Sequence, residues 1–161
     1  MNDIERFEHN GNIIRIVYDE SPENPKEWDN LGEIVYKENG KYTLGYESAT
    51  QEELDEIAND PDNFWLPVYA YIHSGTALNT TGFSCPWDSG KCGLIWCPKS
   101  KLEVSEEESR KIFIQEVETF SKYLNGETYG FIIEDKKGNV VESCFGFYGL
   151  EDCEEEAKYA S

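Results

Sequence analysis

The chain has 161 residues, 14% of them aromatic, and a net charge of −19 from 33 acidic and 14 basic side chains. That length suits one domain burying roughly two-thirds of the surface its unfolded form exposes. Its charge excludes direct binding to DNA, RNA or anionic lipid and attracts basic partners. No apolar run approaches the roughly 20 residues needed to span a bilayer, and no basic-then-apolar leader follows Met1, so a soluble, unexported protein is expected.

The first expected strand is residues 12–18, NIIRIVY, β-branched and apolar. It runs into residues 19–27, DESPENPKE, where Pro22 and Pro25 exclude regular structure. Trp28-Asp29-Asn30-Leu31-Gly32 follows, and then a hairpin signal. Asn39-Gly40 supplies the two positive-φ residues of a tight turn between strands at 33–38 and 41–46. Thr50-Gln51-Glu52-Glu53 is a capping box opening a short helix at about 51–59. Leu54, Ile57 and Ala58 mark its apolar face, and Pro61 stops it.

Residues 64–99 are nearly free of charge and hold three of the five cysteines and three of the four tryptophans. Within them, 66–72 reads as a buried strand because its apolar run is continuous rather than alternating. Residues 73–91, rich in Ser, Thr, Gly and Asn, read as a long loop of the kind that carries function or flexibility. Residues 93–97 return as a strand closed by Pro98.

The longest helix is expected over about 105–125. Ser105-Glu106-Glu107-Glu108 caps it, with three carboxylates at the positive end of its dipole. Phe113, Val117, Phe120 and Leu124 recur at the spacing of one buried face, and Asn125-Gly126 ends it. A second hairpin joins 128–134 to 140–147, and an acidic tail from about 151 is expected to be frayed or weakly helical. Together these predict a single α+β domain over 1–161. Its sheet is mainly antiparallel and built from hairpins, with the long helix on one face and one short helix besides.

The charge is segregated. Residues 1–62 carry 17 acidic and 5 basic side chains, a net of −12; residues 101–161 carry 15 and 7, a net of −8. The centre, 63–100, sets Asp88 against Lys91 and Lys99, a net of +1. The cysteines at 85, 92, 97, 144 and 153 lack paired CxxC knuckles, and neither histidine is nearby in sequence. Reduced thiols are therefore expected, with no metal and no cofactor.

Three segments taken in order carry a likeness: Trp28-Asp29-Asn30-Leu31-Gly32, His73-Ser74-Gly75, and Pro86-Trp87-Asp88-Ser89-Gly90. With residues 116–130, EVETFSKYLNGETYG, and 144–149, CFGFYG, the chain resembles a family of small proteins of bacteriophages, prophages and mobile elements. The match spans nearly the whole chain. It departs at Cys92, where the family usually carries an uncharged, often valine-like residue. The resemblance implies a phage-type gene product working in a bacterial cytoplasm, and it implies no particular activity.

Three constellations remain as candidate sites. His73, Cys85 and Asp88 have the residue types of a base, thiol and orienting acid, although Cys85 precedes a proline and has no helix N-terminus to lower its pKa. Trp28-Asp29-Asn30 and Trp87-Asp88-Ser89-Gly90 each set an acid beside an aromatic. They suit either a paired polar site or two Asp-capped turns. The carboxylates of Glu52, Glu53, Asp55 and Glu56, with Glu106, Glu107 and Glu108, suit contact with a basic surface. The charge and the resemblance favour that third site. The expected function is a phage-encoded, non-enzymatic inhibitor that mimics nucleic acid. It would bind the basic surface of a host defence nuclease, of CRISPR or restriction type. The alternative is a small enzyme or a ligand- or metal-binding protein using loop 73–91 with Asp29. Homodimerisation through the neutral segment stays open.

Overall fold

Turn chemistry sets the first hairpin. Asn10 and Gly11 take φ of 50° and 82°, the left-handed pair whose twist matches the strands on either side. The computed structural model describes residues 2–38, 48–84 and 89–161, and over these the chain is α+β. Its strands are β1 (Asp3–His9), β2 (Asn12–Tyr18), β3 (Glu33–Lys37), β4 (Ser48–Ala49), β5 (Asn63–His73), β6 (Gly75–Asn79), β7 (Ser89–Pro98), β8 (Thr128–Glu134) and β9 (Val140–Tyr148). The helices are α1 (Gln51–Asn59), α2 (Glu106–Leu124) and α3 (Leu150–Ala160). The chain divides into two compact units, Met1–Glu23 with Gly126–Ser161, and Asn24–Asn125.

The first unit is an antiparallel sheet in the order β1-β2-β8-β9. The sequence alone places no strand at 3–9. Ile4 and Phe7 lie three apart, which hides a period of two, and a register shift between Asp3 and Glu5 lets both pack on the core. The tail, expected to be frayed or weakly helical, is the full eleven-residue helix α3. Its Cys153 and Ala157 are fully buried against Ile14, Ile16, Phe131 and Ile133. Leu150, Cys153 and Ala157 form a helical stripe, but two of its members are small and the intervening carboxylates dominate the composition. Lys158 lies over the Phe7 ring, 5.6 Å from its centroid.

The second unit holds a sheet in the order β4-β3-β7-β5-β6, with β3 and β4 parallel and the other pairs antiparallel. Phe113, Val117 and Phe120 of α2 press on one face, against Ile34, Tyr36, Phe64, Leu66, Val68 and Ala70. Each of the Val, Leu, Ile and Phe side chains among these contributes about 1.5–3 kcal/mol by burial. On the other face Leu54 of α1 packs with Val35, Ala49 and Leu94. Both helices begin where their caps predict: Thr50 accepts from the Glu53 N–H and Ser105 from the Glu108 N–H, each at 3.1 Å.

Two expectations change in this unit. β5 starts earlier than residue 66, and its burial alternates: the even positions from Phe64 to Ala70 are buried and the odd ones are half-buried. Aromatic residues on the odd side conceal that alternation in the sequence. Nor are residues 73–91 one long loop. Ser74, at φ 30°, turns the chain so that β6 pairs back on β5, from His73↔Gly75 to Tyr69↔Asn79. Only Leu78 of β6 is buried, and its N–H donates to Ser121 Oγ on α2 at 2.8 Å. So polar an edge strand carries no apolar period. The turn at Asn39-Gly40 and the strand expected at 41–46 lie outside the described residues.

Candidate functional site

The expected contact carboxylates are exposed, but on separate supports. Glu52, Glu53, Asp55 and Glu56 project from α1, which has no basic residue, and none of the four pairs with a cation among the described residues. Glu106, Glu107 and Glu108 open α2, on the opposite face of the same sheet. There Glu106 meets Lys99 at 3.5 Å and Glu108 meets Lys111 at 3.4 Å, ion pairs too exposed to stabilise much. The sequence missed a third display. Glu151, Asp152, Glu155 and Glu156 stand exposed on α3 of the other unit, held by the buried stripe beneath them.

Trp28-Asp29-Asn30-Leu31-Gly32 forms a wall of a cleft of about 500 Å³, a size suited to a small ligand or a protruding side chain. The wall is braced from three sides. Asn30 Nδ2 donates to the Pro25 carbonyl at 2.8 Å. Lys101 Nζ, 71 residues on, donates to the carbonyls of Asn30 and Leu31 at 2.9 and 3.0 Å. Glu116 on α2 accepts from the N–H groups of Leu31 and Gly32 at 2.7 and 2.8 Å. Gly32 admits no side chain, since a Cβ there would stand 2.5 Å from Ile95 and 2.8 Å from Phe113. Trp28 is 40% exposed and lines the cleft with Asp29.

Two further groups set the electrostatics of this cleft. Lys26 Nζ donates to the Ile34 carbonyl at 3.1 Å and lies 5.2 and 5.8 Å from the ring centroids of Tyr36 and Phe120, a cation–π arrangement. Burial raises the Glu116 carboxyl above its ordinary value, against the two backbone N–H groups and Lys101, which lower it. Glu116→Ala would leave two backbone donors without their acceptor. The expected loss is about 1–3 kcal/mol, partly offset by relief of the buried charge, and Glu116→Gln should fall between the variant and the parent. Urea unfolding measures it; an unchanged midpoint for Glu116→Ala would mean that the brace does not hold the wall.

His73 lies elsewhere. It lines a hollow of about 250 Å³ with Tyr71, Ser74, Thr76 and Asn125, at the β5–β6 turn. Asp29 and His73 therefore line different cavities. Cys85, Trp87 and Asp88, the other members of the alternative site, lie outside the described residues. Cys97 lines the cleft, but burial raises its thiol, as it pushes Cys92 and Cys153 up to about 12. A thiol reagent at pH 8 should therefore label Cys144, which is exposed, and reach Cys92, Cys97 and Cys153 only after denaturation. Mass spectrometry of the alkylated native protein checks this, and a modified Cys92 would contradict it.

Among the described residues no group of three or more His, Cys, Asp or Glu side chains is placed to hold a metal ion. No described helix is long and apolar enough to cross a membrane. No family model matches the chain, and neither a curated protein nor a solved structure matches it.

Proposed function

We propose that the chain is an acidic binding protein of a phage or related mobile element. It would occupy the basic, nucleic-acid-binding surface of a host defence complex in the bacterial cytoplasm, such as a CRISPR or restriction nuclease, without turnover. The observation that carries this reading is charge spacing on the helices. Four carboxylates on the nine residues of α1 fall about one per 3.4 Å of axis, taking about 1.5 Å per residue. Five on the eleven residues of α3 fall about one per 3.3 Å at the same rise. One strand of duplex DNA carries about one charge per 3.4 Å. Lysines and arginines arranged for phosphate would meet a similar density here, on supports that the Thr50 cap and the α3 stripe keep in place. The likeness to phage proteins supports the cellular setting.

A tagged chain used to capture proteins from bacterial lysate, washed with rising salt, tests the proposal. Basic nucleic-acid-handling proteins should be retained at low salt and released as ions screen the contact. Retention of only acidic or neutral proteins, insensitive to salt, would overturn it. The braced cleft beside Trp28 favours a second reading, a small-ligand-binding protein. Binding would then be insensitive to charge changes on the helices and would fail with Trp28→Ala.

A further inference from the structure

We propose that the free edge of β9 takes an extended, basic segment of a partner protein as a fifth strand of the first unit's sheet. β9 ends the order β1-β2-β8-β9 and, among the described residues, pairs with β8 alone. A sheet edge presents a row of unpaired N–H and C=O groups, and proteins blunt such edges with charged side chains. The two edges of this sheet differ in that respect. β1 carries Asp3, Glu5, Arg6 and Glu8 among its seven residues. β9, VVESCFGFY, carries Glu142 alone among nine.

The β9 edge is also open and regular where a strand would dock. Residues 140–146 are all exposed, including Val140 at 60%, Val141 at 54% and Phe145 at 39%. Pairing with β8 runs unbroken from Gly130↔Phe145 to Ile133↔Glu142, between register shifts at either end. Those shifts confine an added strand to a short window. Phe145 is fixed as a platform within it: it lies over Gly130, where a Cβ would come within 2.2 Å of its ring. Main-chain pairing supplies affinity in such an arrangement, and side chains on alternate positions supply selectivity.

Charge selects the occupant. The unit that contains β9 carries 15 acidic and 5 basic side chains, a net of −10, and α3 with its five carboxylates packs on β8 and β9. A second copy paired edge to edge would bring two such units together, so like charges oppose it. A segment with lysine or arginine at alternate positions is drawn to the same edge. The inference goes beyond the inhibitor proposal, since it requires no nuclease.

Hydrogen–deuterium exchange on the full chain tests it, with an alternating lysine–valine heptapeptide as probe. A peptide of the same sequence with every backbone nitrogen methylated serves as control, because it keeps the charge and lacks the N–H groups for pairing. The first peptide should slow exchange of amides in 141–146 at least tenfold and leave β1 unchanged; the control should do neither. Val141→Lys, at an exposed position, should abolish the protection. Equal protection by both peptides, protection confined to α1 or α3, or a concentration-dependent dimer that protects β9 without peptide would each overturn the inference.

Discussion

Phe113→Ala should destabilise the second unit by about 3–5 kcal/mol, the range for a deleted core aromatic. Phe113 is fully buried and packs on Phe64 with ring centroids 5.1 Å apart. It also presses on Gly32, where even a methyl group would collide with its ring. Its loss therefore opens a void between α2 and the sheet and removes the support of the cleft wall together. For a unit of this size, about 4–8 °C of melting temperature is lost per kcal/mol, so the fall should exceed about 12 °C. Thermal unfolding measures it, and Glu107→Ala on the exposed start of the same helix is the control, expected to fall within about 0.5 kcal/mol of the parent. Equal effects from the two substitutions would contradict the placement of α2.

The second large effect concerns binding. Neutralising α1 with Glu52→Gln, Glu53→Gln, Asp55→Asn and Glu56→Gln leaves its cap intact, since Thr50 still accepts from the residue-53 N–H. None of these carboxylates has a cation partner within the described chain, so their removal should leave stability nearly unchanged. At an exposed interface each ion contact is worth about 0.2–1 kcal/mol. If α1 is the contact, four lost together cost about 0.8–4 kcal/mol and weaken binding by roughly 4- to 700-fold. Reversal to lysine adds repulsion and should abolish binding at low salt. Because α1 and the start of α2 occupy opposite faces of the sheet, the same experiment on Glu106, Glu107 and Glu108 discriminates between faces. A compact basic site should respond to one cluster much more than to the other. Unchanged affinity in both, and in the matching variants of α3, would sink the electrostatic account.

Helices α1 and α2 are legible because their boundary signals are local. Thr50 and Ser105 act through the N–H groups three residues on, and the α2 stripe of Phe113, Val117 and Phe120 repeats within a few turns. β8 and β9 were legible for the same reason, as an apolar run and a turn-forming Asp135–Asn139 segment. β6 and α3 were not. Their buried residues are few or small, and polar or acidic neighbours outnumber them, so only packing against Ser121 and against the first sheet reveals them.

The candidate site divides in the same way. Trp28 and Asp29 stood out as an aromatic beside an acid in a turn. The groups that brace that turn, Lys101 and Glu116, lie 70 or more residues away and leave no local trace. Glu116 within α2 reads as one more solvent-facing carboxylate until the sheet brings Leu31 and Gly32 to it. His73, Cys85 and Asp88 are candidates by residue type, as a base, a thiol and an acid. The fold places His73 in a hollow apart from Asp29.

The most direct test of the central claim is competition on a captured partner. The chain is immobilised with the basic protein it retains from lysate, and a short DNA duplex is titrated across the complex at fixed, low salt. If the carboxylates stand where phosphates would, the duplex should displace the partner completely, and less should be needed when the α1 carboxylates are neutralised. A partner that binds the duplex while still held by the chain would contradict the account.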